Sequence, residues 1–499
     1  MGSAARDSVR AGVAEPIGLA RGHVDVSLEF LVEIPPDWRS EREYALTVLI
    51  EDWLGASYTV RVNNDLMETR LRLASQPGEA MIAIPDVLLG RTTKWLSPSS
   101  LPLTELHTLR LPAWTGVEGT LPLLYDSVRD VNELVSRDGG RFVLRLDLLG
   151  SLVFMLTRYE EYVSLRARDE HGRFPASAST LASSGWLRWP VLDMYLHVFV
   201  ALVRLAWPNA QIAPTSGAGV RVGHDVDHPS SSIRWHGRQR LRKVAGDVVR
   251  RRDLGLALRR ASSFLPATRA VSRFDPYNTY GFLMDSSEAV GARSAFFFLT
   301  KDTELPHGSR YQLSDAWAQR LIAEIADRGH QIGLHGSYIS STDAGRLKEE
   351  WSILERACSG LLPGVLRPTV RQHYLRQQPG ETWRAQVEAG LAEDESLGFA
   401  DAVGFRAGTA RSFPAYDLAN HCQLPLRIRP LHVMDGTLLD YMSLDDVDAL
   451  SIVTEMGDRT RTFGGDFSLL WHNSSLETYR AKRLYLDILG SLHTGQGQP

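Results

Sequence analysis

Cysteine is scarce: 499 residues include only Cys358 and Cys422, and neither belongs to a CxxC pair or to a disulfide framework. A thiolate metal site and a disulfide-stapled secreted scaffold are therefore excluded, and both residues are expected as small buried apolar side chains. A strong charge imbalance is missing too. The formal net charge is -4, too small for this length to imply a polyanionic partner. Long apolar runs are also absent. The most lipid-like stretch, Val191 to Trp207, is interrupted by Asp193, His197 and Arg204 and is shorter than a membrane-spanning helix needs, so it reads as a buried helix closing the first domain. The opening residues MGSAARDSVRAGVAEP have no apolar run after their basic residues, which argues against a secretory signal. Residues 1–22 are expected as a disordered tail and the cytoplasm as the compartment. No internal repeat or low-complexity block is evident.

What is present is the composition of a globular protein, 43% hydrophobic and 23% charged, in a chain longer than one core usually serves. Two domains are expected. Residues 23–215 read as a small mixed α/β domain, with strand-like alternation at Val24 to Leu28 and Tyr58 to Val62 and helical spacing at Glu43 to Leu54 and Asp147 to Tyr162. Pro214 to Ala218, with Thr215, Ser216 and Gly217, interrupts both patterns and marks the boundary. Beyond it, residues 216–490 alternate short apolar strands (Gly219 to Val222, Ser294 to Thr300, Gln331 to Leu334) with amphipathic helices (Tyr280 to Val290, Ala316 to Arg328). Such alternation argues for parallel strands with crossovers, in a barrel or an open wound sheet. Residues 234–260 are rich in arginine and are expected as a basic surface helix: a solvated face, or an attachment to an anionic membrane surface or a phosphorylated substrate. Nucleic acid is not expected there, since Trp235 is the sole aromatic among those cations.

Two stretches carry chemistry. Val220 to Pro229 is an apolar strand whose carboxyl end delivers Asp225 and Asp227. Residues two apart in a strand point the same way, so the two acids can converge as base and metal ligand. Arg328 to Tyr338 brackets another short strand with His330 and His335. Imidazole is a common ligand for zinc and similar ions, and His335, at the carboxyl end, is expected as a ligand, with His330 structural. Gly404 to Thr409 and Met434 to Leu438 are candidate substrate contacts. Arg406 either grips a carboxylate or phosphate of the substrate or neutralises Asp394 or Asp401, and Asp435-Gly436 either contacts substrate or makes a turn.

GHDVDHP (223–229) and GHQIGLHGSY (329–338) resemble the first two motifs of the polysaccharide deacetylase (NodB-like, carbohydrate esterase family 4) superfamily. The resemblance implies Asp225 as general base and Asp227 as metal ligand, although Val226 separates acids that are usually adjacent. It implies His335 as a second ligand, while Ile339 stands where another metal histidine is usual. Arg371-Gln372-His373-Tyr374 resembles the family's R-x-P-Y. His373 replaces the proline and would restore the lost ligand, Arg371 would orient Asp225, and Tyr374 would face substrate, with a backbone N–H near it for the oxyanion. Asp394 to Phe399 resembles the fourth motif and places Asp394 as a supporting acid in the catalytic set. Phe467 to Asn473 resembles the L-x-H ending and implies His472 as general acid, with Trp471 beside it against substrate.

The implied fold is a distorted (β/α) barrel preceded by the smaller mixed α/β domain. Arg158 to Tyr162 and His171 to Pro175 look like an uncharacterised domain found ahead of this deacetylase type in bacterial surface-polysaccharide loci. The implied cofactor is a divalent metal, zinc first, with nickel, cobalt or manganese as alternatives. The implied reaction removes an N-acyl group, N-acetyl foremost, from a sugar or surface-polysaccharide precursor met at the inner membrane face. The alternatives are a degenerate deacetylase fold that binds glycan or serves as a scaffold without turnover, and hydrolysis of a non-sugar amide.

Overall fold

The computed structural model describes residues 28–493 except 77, 79, 91, 128–132, 216, 218, 236, 265–272 and 301–309. The expected tail at 1–22 and most of the expected strand at Val24 to Leu28 lie outside the described residues. A six-stranded sheet is built wholly from the first part of the chain: β1 (Glu29–Ile34), β2 (Ser57–Val62), β3 (Glu68–Leu73), β4 (Met81–Pro85), β7 (Val135–Asp138) and β8 (Arg141–Leu144), in the order β2-β1-β3-β4-β8-β7. A separate hairpin pairs β5 (His107–Arg110) with β6 (Thr120–Leu123). The expected helix at Asp147 to Tyr162 is two helices, Leu148–Leu156 and Tyr159–Val163, because Arg158 between them adopts a left-handed φ of 58°. The apolar Val191–Ala206 helix is buried along most of its length. No helix among the described residues is long and apolar enough to cross a membrane.

The second sheet has nine strands: β9 (Val220–Val226), β10 (Ala295–Phe298), β11 (Gln331–Gly336), β12 (Leu366–Gln372), β13 (Glu393–Asp394), β14 (Phe413–Asp417), β15 (Cys422–Ile428), β16 (Val433–Met434) and β17 (Phe467–Leu470). Their order is β14-β15-β13-β12-β11-β10-β9-β17-β16, and every neighbour is parallel except the β14–β15 pair. The described residues contain no closed sheet, so the barrel expected from the resemblance is not found. At one edge β14 folds back antiparallel and is covered by the first domain: the Tyr44 hydroxyl donates to Pro414 O at 2.8 Å, and Trp53 Nε1 donates to Ser412 O at 3.1 Å. At the other edge β16 has only two residues. An edge strand already occupied on its outer side cannot pair across a gap, and the sheet stays open.

One hydrophobic core runs from the first sheet into β14 and β15, taking in Phe413, Ala415, Tyr416, Leu426 and Ile428. A second core lies beneath β9 to β12. Cys358 is buried, but Cys422 is exposed, contrary to expectation, because it opens β15 at the end of the strand that lies in solvent.

The seam between the cores is polar at its centre. Arg406 donates to both Glu161 carboxylate oxygens at 2.8 Å, and Arg158 donates to Glu161 Oε1 at 2.9 Å and to Arg406 O at 2.5 Å. All three side chains are essentially inaccessible to solvent. Arg406 therefore does not face substrate, and it pairs with neither Asp394 nor Asp401. The glycines around it serve the same seam, since a Cβ on Gly404 would lie 2.4 Å from Leu187 of the first domain. Burial works against the charged form of Glu161, but the two guanidinium groups outweigh it and hold the carboxyl below the ordinary glutamate value. Because the folded value is the lower one, this contribution to stability is complete above the ordinary range and is lost as pH falls through the depressed value. Glu161→Gln leaves Arg406 without a counter-charge in the seam, while Arg158 keeps Glu160 at 2.7 Å; at neutral pH it is expected to cost about 3–5 kcal/mol in urea unfolding. The same variant is expected to flatten the loss of stability on acidification.

Candidate active site

The parallel register brings the carboxyl ends of β9, β11, β12 and β17 side by side. His335 pairs with Arg371 across β11 and β12, and Leu470 pairs with Gly223 across β17 and β9. Strand alternation then sorts the side chains. Asp225 and Asp227 face a cavity of about 260 Å³, while Val226 between them enters the core. The same cavity is lined by His228, His335, His373, Tyr374, Asp435 and His472, with Arg173 and Arg234 near its rim.

Asp225 is fixed from behind. Arg371 Nη1 donates to Asp225 Oδ1 at 2.9 Å and Nη2 to Glu395 Oε2 at 2.9 Å, while its guanidinium lies 4.2 Å over the Phe297 ring. The approach requires Gly223, because a Cβ there would sit 2.5 Å from Arg371 Nη1. With Oδ1 engaged, Asp225 Oδ2 faces His335 Nε2 at 3.8 Å.

Asp227, His335 and His373 offer ligand atoms that all lie within 4.8 Å of one another. His335 Nδ1 sits 2.8 Å from Arg371 O, which assigns its proton to Nδ1 and turns the Nε2 lone pair toward Asp227 Oδ1 at 3.0 Å. His373 Nε2 is 3.5 Å from Asp227 Oδ2. Asp227 Oδ1 and His335 Nε2 thus face each other inside the protein with no further hydrogen-bond partner, and of the His373 nitrogens Nε2 is the one turned to Asp227 while Nδ1 is buried without a partner. A carboxylate and two imidazoles with ligand atoms this close together are the donor set a divalent cation takes, so the residues fit a metal. Burial opposes charge on His335, yet the Asp225 and Asp227 carboxylates raise its proton affinity above the ordinary histidine value. Asp227 is held well below the carboxylate range, its burial outweighed by the two histidines. The cluster attracts positive charge.

His472 lies across the cavity, with Nδ1 at 2.7 Å from Asp435 Oδ1 and Nε2 at 3.5 Å from Asp227 Oδ2. Burial alone would lower its pKa, but Asp435, then Asp227 and Asp225, push it up to about 10. His228 is the opposite case, since burial, with Arg234 nearby, lowers it to about 3 and keeps it neutral.

The first domain reaches this cavity through one loop. Asp169 accepts from the backbone N–H groups of His171 and Arg173 and from Arg173 Nε, at 2.7–2.9 Å. So held, Arg173 donates to Tyr374 O at 3.1 Å and to the Tyr441 hydroxyl at 3.1 Å. Arg376 reaches back, donating to His171 O at 2.9 Å and stacking over Tyr338. These contacts brace a turn in which Tyr374 and Leu375 both take left-handed φ, 62° and 54°, immediately after His373.

Other expected site residues fall elsewhere. Ile339 is 47% exposed and outside the cluster. Trp471 is buried in the core, not against the cavity, because alternation along β17 sends Leu470 and His472 to the site and Trp471 to the other side. Asp394 touches no group in the cavity. It accepts from Gln386 Nε2 at 2.5 Å and Ser396 Oγ at 2.8 Å, and Ser396 Oγ accepts from Gln372 N, so it supports the end of β12 from below. Burial raises its pKa to about 6. His330 sits between Ser294 N and Glu288, remote from the cluster. Met434, Asp435 and Gly436 do line the cavity, but Asp435 serves His472. Glu395, Asp435, His228, Arg173 and Arg234 were not among the expected catalytic or ligand residues. His228 and Glu395 lie inside the first and fourth motifs, Asp435 inside the candidate contact stretch Met434 to Leu438, Arg173 inside His171 to Pro175, and Arg234 at the start of the basic segment, but none of these signals gave the role the structure shows.

Residues 30–208 match a family of unknown function, DUF7033. No curated protein matches the chain. Among solved structures, the chain is similar to a protein from Mycobacterium smegmatis described provisionally as a polysaccharide deacetylase, at 14% identity and a TM-score of 0.36, covering 56% of this chain and 84% of that one.

Proposed function

We propose that the chain is a divalent-metal-dependent hydrolase that removes an N-acyl group, N-acetyl foremost, from a sugar or a surface-polysaccharide precursor. The observation that carries this reading is the cluster of ligand atoms on Asp227, His335 and His373, all within 4.8 Å of one another and set between a guanidinium-braced carboxylate and a carboxylate-braced histidine. The motif resemblance supplies the substrate class.

Asp227, His335 and His373 would hold the cation, which when bound would polarise the acyl carbonyl and acidify a water. Asp225 receives the proton from that water on Oδ2, the oxygen that Arg371 leaves free. Arg371 keeps the carboxylate from turning away and is itself spent on Glu395, so it does not follow the proton. His472, kept charged by Asp435, gives its proton from Nε2 to the departing amine. Tyr374 and His228 line the space for the sugar. Zinc suits two imidazoles and a carboxylate, and nickel, cobalt and manganese accept the same set.

A second reading, glycan binding without turnover, draws support from Ile339, which gives the site no second histidine from the β11 loop.

Titration of metal-free protein with zinc, nickel, cobalt or manganese is expected to show about one equivalent bound. His373→Ala should abolish that binding; stoichiometric binding by His373→Ala would remove the proposed ligand set. On N-acetylated sugar substrates the metal-loaded protein should release acetate, and Asp225→Asn should lower kcat by about 10²–10⁴-fold with metal affinity retained. Binding of substrate with no acetate release under any of the four ions would favour the second reading. Arg173→Ala, which frees the turn after His373, should weaken metal affinity by about 10-fold or more, measured by competition with a chelator.

A further inference from the structure

The arginine-rich segment is not the single surface helix its sequence suggests. It is a hairpin of two helices, Arg238–Val249 and Leu254–Ser263, broken where Arg252 takes a φ of 52° and Asp253 caps the second helix by accepting from Leu256 N. The hairpin is tied down by charge. Arg260, fully buried, donates to Asp247 at 2.6 Å and to Glu477 at 2.6 Å, and Arg251 also reaches both acids. Only Leu256 and Ala257 of the second helix join these charged groups as buried apolar side chains.

Its amphipathicity is therefore inverted. In the first helix the buried residue is an aspartate, Asp247, while Leu241 and Val249 are 73% and 74% exposed. Leu241, Ala245, Val248 and Val249, all exposed, fall at helical spacing on one face. The second helix repeats the arrangement with Leu254 and Leu258, 65% and 72% exposed, followed by Ala261. A helix pair facing only water gains nothing from turning leucine and valine outward and aspartate inward.

The cations around that face are unneutralised. Asp247 and Glu477 are committed to Arg251 and Arg260, and among the described residues Arg234, Arg238, Arg242, Arg250 and Arg252 have no acid within ion-pair distance. Trp235, Gln239, Arg242, Lys243 and Arg250 line an open depression beside the first helix, with Lys243 Nζ 4.3 Å over the Trp235 ring. Apolar side chains at the centre, arginines at the margin and an aromatic ring at the edge match the depth profile of an anionic bilayer surface: acyl chains, then phosphates.

We propose that residues 238–263 dock the protein on an anionic lipid bilayer, with Leu241, Val249, Leu254 and Leu258 entering the interface and Arg238, Arg242, Arg250 and Arg252 on the phosphates. Arg234, just ahead of the first helix, lines the catalytic cavity, so docking brings the mouth of that cavity to the lipid surface. The proposal stands whether or not the chain is a deacetylase.

Flotation of the full chain with phosphatidylcholine vesicles, with and without phosphatidylglycerol, tests it. Co-flotation is expected with the anionic vesicles only. Leu241→Asn/Leu258→Asn should abolish it. Arg238→Gln/Arg242→Gln should weaken partitioning by roughly 5-fold per arginine. Both pairs of sites are on the surface, and an unchanged circular-dichroism melting curve verifies that each variant is folded. Equal recovery of the wild-type chain in the unbound fraction with both vesicle types overturns the proposal. So does a dimer in sedimentation velocity that Leu241→Asn/Leu258→Asn converts to monomer, which would assign the face to a second copy.

Discussion

The geometry of the cavity rests on one guanidinium. Arg371, at the end of β12, is buried between a carboxylate from β9 and a carboxylate that follows β13, and its own carbonyl fixes the tautomer of His335. One residue thus sets the rotamer of the candidate base and the lone-pair direction of a candidate ligand. Removing a buried cation from between two acids would leave like charges facing each other in a low-dielectric site. Gly223 is the matching constraint on the opposite strand, for any side chain there would occupy the guanidinium's place.

Around that centre, charge is arranged in opposed pairs. Asp225 is engaged on one oxygen and open on the other, whereas His472 is engaged on Nδ1 and open on Nε2. Each is held by a counter-charge from the side away from the cavity, and for His472 the Asp435 carboxylate keeps the ring charged. Between them the metal-type cluster has a carboxylate with depressed proton affinity and a histidine with raised affinity. The two shifts are the two sides of one pairing, the carboxylate and the imidazole each favouring the charged form of the other.

Much of the site was legible because strand ends and alternation are local properties. Asp225, Asp227 and His335 could be read from apolar runs ending in polar residues, Arg371, His373 and His472 came from the motif resemblance, and the structure brings all six to one place. Trp471 was misassigned although alternation alone would have turned it into the core. Arg406 and its glycines were harder. Glycine announces that another group comes close without saying which, and here the group is the first domain, not a ligand. The pairings of Glu395 with Arg371 and Asp435 with His472 depend on contacts far apart in sequence, which no single-chain pattern encodes. The strand and helix alternation left a barrel and an open wound sheet both standing, since closure depends on what covers β14, and the pattern of β14 itself is that of any buried strand.

The loop from Asp169 to Arg173 joins the two halves at the most sensitive point available, the strained turn that carries His373. A consequence is that the carboxy-terminal half is not a transplantable module. Here the turn that follows His373 is held by the neighbour through Tyr374 O, so a chimera with a foreign leading domain would inherit the strands but not the bracing of that turn.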